Sequence, residues 1–259
     1  MPESFVQLEH VNLVRGSRTV LHDITFRMRK GEQIALLGPN GCGKSTLMKM
    51  LTCELYPLAE PEMRVCIFGR ERWDVTELKK RLGVVQSELP GRPILSLSGF
   101  EAILTGFFSS STLWPHLTIT PEQLERTEAT LHRVGATQLR RRIFGEMSSG
   151  QQRRILIGRA LVASADCLLL DEPSNTLDLY AQHELRELLR SLAKQGTSIL
   201  LITHHIADII PEMGRIVMMR GGRIVADGPR EQLLTAERLS ELFAMQVHLA
   251  EHEGMLHAW

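Results

Sequence analysis

Two periodicities divide the chain. Over residues 5–28 apolar and polar positions alternate, with Val6 and Leu8 before a break at 15–18 (RGSR) and Ile24, Phe26 and Met28 after it. A period of two with a turn in the middle predicts a pair of antiparallel strands with one face buried. From residue 30 the pattern changes. The apolar run IALL at 34–37 predicts a short strand covered on both faces, a glycine-rich loop follows, and Leu47, Met50 and Leu51 recur at helical spacing. Further strands are predicted at 64–69, 82–85, 167–170 and 198–202. The last two flank a helix around 184–192, the alternation that builds a parallel sheet. Residues 90–150 read as helical and interrupt that alternation. Within them Thr120, Pro121 and Gln123 have the order of a capped helix start, and Leu124, Thr127, Leu131 and Val134 form its apolar face. A hairpin at 215–219 and 223–226 is turned by Gly221 and Gly222.

Composition narrows the function. The chain has 259 residues, 43% hydrophobic and 23% charged, which describes a globular protein with a large core. Lys+Arg 30 balance Asp+Glu 30, so no global field recruits a polyanion, and no nucleic-acid partner is expected. Apolar runs stop far short of the roughly 20 residues of a membrane helix, and the opening MPESFVQLEH lacks a leader core, so a cytosolic chain is expected. Cys42, Cys53, Cys66 and Cys167 show no CxxC spacing and are expected as reduced thiols. No internal repeat is present.

Candidate chemistry starts in the glycine-rich loop. Gly38, Pro39, Asn40, Gly41, Cys42, Gly43, Lys44 and Ser45, followed by Thr46, fit GxxxxGK[ST] between a strand and a helix. In that pattern backbone N–H groups converge on β- and γ-phosphates, the lysine adds a point charge, and the hydroxyl is a Mg²⁺ ligand. Phosphate chemistry also needs a carboxylate for the metal and a base for water. The run LLLDE ends a predicted strand with Asp171 for the metal and Glu172 for the water. A third station is MSSGQQ at 147–152, where Ser148 and Gly150 open a helix and offer backbone N–H groups to an anion.

At these residues the sequence resembles the ATP-binding cassette ATPases. MSSGQQ is similar to the family's LSGGQ signature, with Met147 and Ser149 departing from it. The resemblance covers residues of about 5 to 230 and implies an α/β fold, a P-loop (RecA-like) core with an antiparallel β layer and an inserted helical subdomain. Residues 1–230 are then the ATPase domain, with the insertion at about 90–150, and 231–259 a C-terminal helix and tail. The implied substrate is ATP with Mg²⁺. Gln86 resembles the Q-loop glutamine that contacts Mg²⁺, Asp178 the D-loop aspartate, and His204 the switch histidine; His205 stands where the family often has Asp. Ser148, Gly150 and Gln151 are implied to meet the γ-phosphate held by the other subunit of a head-to-tail homodimer. The family commonly stacks an aromatic on adenine before the turn of the first β layer. Here Arg15 stands in that region, and its planar guanidinium offers a substitute.

The resemblance implies a transporter subunit lying at the inner face of the membrane and driving a separate permease. The stretch LTGFFS at 104–109 and the tail at 239–245 are similar to cassettes of metal-chelate or molybdate-type importers. The alternative is a soluble cassette acting on a non-transport assembly or as a regulatory module. Lys79, Lys80 and Arg81, and Arg140, Arg141 and Arg142, read as solvated faces. Phe107, Phe108, Leu113 and Trp114 read as core or a docking patch, and His248, His252 and His257 have no closed metal-site spacing.

Overall fold

The computed structural model describes residues 4–86, 88, 91–163 and 165–259; the first three residues of MPESFVQLEH lie outside this set. In chain order the elements are β1 (Ser4–Arg15), β2 (Arg18–Arg29), β3 (Gln33–Leu37), α1 (Lys44–Leu51), β4 (Arg64–Ile67), α2 (Val75–Arg81) and β5 (Leu82–Val85). There follow α3 (Gly99–Leu104), α4 (Pro121–Arg133), α5 (Ser149–Leu161), β6 (Cys167–Asp171), α6 (Leu179–Lys194), β7 (Ser198–Thr203) and β8 (Arg215–Arg220). The chain closes with β9 (Arg223–Pro229), α7 (Arg230–Leu233), α8 (Ala236–Phe243), β10 (Leu249–His252) and β11 (Met255–Ala258). The elements group into two units, Met1–Val75 with Ala193–Trp259, and Thr76–Leu192.

The first unit holds the predicted antiparallel layer, in the order β2-β1-β4. Ile24, Phe26 and Met28 are 0–2% exposed while their neighbours face water, as the period of two requires. β4 ends at Ile67, two residues before the predicted limit. There Ile67 and Arg70 exchange backbone hydrogen bonds of 2.9 and 3.0 Å around Phe68 and Gly69, both at positive φ, which closes a turn. In the same unit β3 pairs in parallel with β7 on one side and β8 on the other, and β9 adds antiparallel to β8. β3 and β7 are buried along almost their whole length, which explains their unbroken apolar sequence; β9 alternates exposed and half-buried residues. Gly221 and Gly222 both sit at positive φ (55° and 76°), the pair of conformations that a two-residue hairpin turn demands. The C-terminal tail forms the antiparallel hairpin β10–β11, which has no counterpart among the predicted elements. His248, His252 and His257 are exposed on it, and among the described residues they do not converge as a metal-ligand group.

The second unit carries β5 and β6 as a parallel pair and the helices α2 to α6. α2 has no counterpart in the predicted elements; its single buried residue, Leu78, is too sparse to register as a period. The helical stretch is more broken than the periodicity predicts. Between residues 91 and 148 only α3 and α4 are α-helices, and the rest is 3-10 turns and loop. Gly91, Pro93, Gly106, Pro115, Gly135 and Gly145 interrupt it. α4 starts as predicted: Thr120 Oγ1 accepts from the Gln123 amide and Gln123 Oε1 from the Thr120 amide. Its buried stripe is Thr127, Thr130 and Leu131, continued by Val134. Leu124, one turn earlier, is 42% exposed and lies beyond the covered end of that stripe. Lys79 and Lys80 face solvent as expected, but Arg81 is half-buried and bridges to Asp166 at 2.8 Å. Arg140, Arg141 and Arg142 are exposed. Phe107 is half-buried under the Arg126 guanidinium, 5.2 Å from its ring, and Trp114 is exposed. All four cysteines are free thiols.

Candidate nucleotide site

The first unit presents the phosphate loop at the end of a buried strand. β3 ends at Leu37, which pairs with Thr203 of β7, so Gly38 and His204 leave adjacent parallel strands at the same edge. That edge is where open α/β sheets bind ligands. Gly41 and Gly43 take positive φ (77° and 106°), conformations L side chains rarely adopt. Gly43 caps α1 without a side chain, and no acidic residue lies in the first turn, so the amides and the positive helix end are left for an anion. A Cβ on Gly38 would stand 2.3 Å from the Met219 carbonyl oxygen, so only glycine lets the loop lie this close to β8. The Lys44 ammonium is 5% exposed and folds back to donate to the Gly38 and Pro39 carbonyls at 2.8 and 3.2 Å.

The loop is braced from outside. The Gly222 amide donates to the Cys42 carbonyl at 2.9 Å, and the His22 amide donates to the Gly222 carbonyl at 2.8 Å. The hairpin of β8 and β9, predicted as a hairpin but with no role at the site, thereby ties β2 to the phosphate loop. Cys42 itself is buried, 5% exposed. Ser45 is exposed and open to a metal, and Thr46 is half-buried. Arg15 lies exposed at the hairpin tip, paired with Arg18; five residues after Arg15, the Val20 carbonyl lies close to Gly43. His204 is half-buried. The next amide, of His205, donates to Thr203 Oγ1 at 2.9 Å, while that hydroxyl donates to the buried Asp208 carboxylate at 3.0 Å. The exposed His205 ring stands 3.8 Å from the ring of His204.

The second unit gathers the remaining predicted residues. Val85 of β5 pairs with Leu170 of β6, so Gln86 and Asp171 emerge side by side from a parallel pair. Asp171 is 9% exposed. Glu172 is half-buried and holds φ at +48°, a left-handed backbone that costs a non-glycine residue of order 1 kcal/mol and that clusters at functional sites. After it the chain turns tightly, with the Asn175 amide donating to the Glu172 carbonyl at 3.2 Å and the Leu177 amide to the Ser174 carbonyl at 3.0 Å. Asp178 caps α6 through the Ala181 amide at 2.8 Å.

Ser148 is the N-cap of α5. Its Oγ accepts from the Gln151 amide at 3.3 Å while Gln151 Oε1 accepts from the Ser148 amide at 3.2 Å, a full capping box. A Cβ on Gly150 would come within 2.7 Å of Ala181 Cβ, so a side chain there collides with α6. α5 also reaches Gln86. Arg153 is 6% exposed, burial lowers the pKa of its guanidinium, and its Nη1 donates to the Gln86 carbonyl at 2.6 Å. This arginine has no sequence signal, because its acceptor lies 67 residues away. Arg154 and Arg159 of the same helix hold the carbonyls of Val134 and Ser110 at 2.8 Å each.

The donor set fits a nucleotide triphosphate: a glycine cradle that a Cβ would fill, an amide-lined helix start without an acid, and an internal ammonium. Comparison with known proteins agrees. Residues 21–175, which include the phosphate loop, Gln86, Ser148, Asp171 and Glu172, match the family model described as ABC transporter. The ABC transporter ATP-binding protein YlmA of Bacillus subtilis (strain 168) is 31% identical over 247 residues, covering 94% of this chain and 92% of that protein. The hemin import ATP-binding protein HmuV of Plesiomonas shigelloides is 30% identical over 272 residues, covering 96% and 99%. Among solved structures, a chain from an ABC transporter described as of metal-chelate type, in an inward-facing conformation, superposes with a TM-score of 0.80. It is 23% identical, and the match covers 99% of this chain and 96% of that one.

Proposed function

The chain belongs to the ABC transporter family as an ATP-binding subunit with ATPase activity, and on that premise we propose that it closes head-to-tail with a second copy around two ATP molecules to drive a separate membrane permease. The observation that carries the reading is the braced glycine cradle around Lys44 at the end of β3. No helix among the described residues is long and apolar enough to cross a membrane, so the transport step needs such a partner.

In this reading the amides of residues 41–46 and the Lys44 ammonium hold the β- and γ-phosphates, the ammonium exchanging its two carbonyl acceptors for phosphate oxygens. Arg15 stacks on the base. Ser45, Gln86 and Asp171 are the residues that would hold Mg²⁺, which when bound neutralises charge on the transferring phosphate. Glu172 takes the proton of the attacking water, and its left-handed backbone fixes where the carboxylate starts. His204 orients the water and the γ-phosphate. Ser148, Gly150 and Gln151 offer the start of α5 to the γ-phosphate of the second copy. The names of the relatives favour transport over service to another assembly, and the hemin-import relatives favour a metal chelate over an oxyanion as cargo.

Glu172→Gln tests the scheme, because it keeps size and hydrogen bonding and removes the base. Hydrolysis should fall by roughly 10²- to 10⁴-fold, and with MgATP the variant should elute as a dimer on size exclusion. Near-normal turnover would remove Glu172 from the chemistry. Loss of turnover without a dimer would overturn the head-to-tail sandwich.

A further inference from the structure

A pocket of about 570 Å³ lies in the first unit beside the C-terminal end of α1, and it shares no residue with the nucleotide site. The volume falls among small-molecule sites, roughly 300–1,000 Å³. Met50, Leu55, Tyr56, Met63, Val65 and Trp73 supply an apolar lining in which two aromatic rings and two thioethers predominate. The wall formed by Trp73 is fixed before any ligand arrives. Its Nε1 donates to the Ile67 carbonyl at 2.7 Å, the Phe68 ring meets it edge-on at 5.8 Å, and the Arg70 guanidinium packs 4.8 Å from its centroid.

The charges on the lining do not cancel. Arg64, Glu71 and Arg72 contribute two positive groups and one negative. Arg64 Nε stands 3.8 Å from Glu71 Oε1, so these two offset one another. Among the described residues no ion pair joins Arg72 to an acid. Cys53, held at φ +56°, completes the lining, and burial pushes its thiol up, so it stays protonated and sets no negative charge against an anion. We propose that this pocket is a second ligand site, for a small flat aromatic anion whose ring lies against Trp73 and Tyr56 and whose carboxylate or sulfonate meets Arg72. An aromatic ring takes the apolar, sulfur-rich wall, and a planar anion takes the fork of a guanidinium.

The pocket carries its own reporter. Of the four cysteines, Cys53 alone is not buried, so it is the thiol a maleimide can reach in the folded chain, slowly because alkylation proceeds through the thiolate that its surroundings disfavour. The experiment uses the full chain, with naphthalenesulfonate as probe and the rate of Cys53 alkylation by N-ethylmaleimide, located by peptide mass, as readout. Saturable protection is expected. Arg72→Gln, at an exposed position that leaves the core intact, should weaken it by about tenfold or more. Naphthalenemethanol, the same ring without the charge, should protect the wild type only as weakly as the sulfonate protects that variant. Trp73→Leu should weaken both probes together, and excess MgATP should leave protection unchanged. Absence of saturable protection, equal affinity for the sulfonate and the alcohol, indifference to Arg72→Gln, or competition by ATP would each overturn the proposal.

Discussion

At the scale of single residues, the phosphate loop and Glu172 show two ways in which position overrides preference. Lys44 is a charged side chain in a nearly closed cradle, tolerated because two carbonyls accept from it. Lys44→Ala removes the only ammonium of the loop and should abolish most ATP binding, measured with a fluorescent nucleotide. Wild-type affinity would sink the phosphate-loop assignment. Glu172 keeps its left-handed backbone at a cost in stability. Glu172→Gly relieves that strain, so in urea unfolding it should be more stable than Glu172→Ala by about 1 kcal/mol, with a correspondingly higher midpoint, although neither should hydrolyse ATP. Equal midpoints would show that residue 172 is unstrained in solution.

At the scale of elements, α5 joins several functions in one helix: the capping box at Ser148, the close approach of Gly150 to α6, and the Arg153 bond to the Gln86 carbonyl. The cap and the anion site can be separated by chemistry. Ser148→Ala loses the side-chain acceptor and should cost about 1 kcal/mol in thermal or urea unfolding. Ser148→Asp keeps an excellent N-cap, so the fold should be as stable as the wild type, but its carboxylate repels a phosphate. Hydrolysis by the Asp variant should therefore collapse in a well-folded protein. Retained hydrolysis would reduce Ser148 to a helix cap.

At the scale of the whole molecule, the proposed head-to-tail arrangement would make each catalytic site from two copies. A Lys44→Ala subunit paired with a Ser148→Asp subunit leaves one site damaged twice and the other intact. Mixing the two inactive variants in equal amounts should restore activity to roughly a quarter of wild type, since half the dimers are mixed and each has one good site. No recovery, with mixed dimers shown to form, would contradict sites shared between subunits.

The chain's local chemistry by itself determined most of the strands and the start of α4, because burial of one face or both leaves a period that a short window shows. That is why the alternation of β2, the unbroken apolar runs of β3, β6 and β7, the Thr120 cap and the Gly221-Gly222 turn were legible, together with contiguous motifs such as the phosphate loop, the LLLDE run and MSSGQQ. Tertiary structure decided what no window contains. It placed β8 beside β3, set the Gly222 amide on the Cys42 carbonyl, carried Arg153 across 67 residues to Gln86, and forced Glu172 into a left-handed backbone. It also assembled the pocket around Trp73 from segments that are separately unremarkable. The reason is physical: a residue's preference for burial is local and leaves its mark on its neighbours in sequence. Which distant carbonyl, ring or charge it meets depends on loop closure and on the fit of surfaces that exist only once the chain has packed.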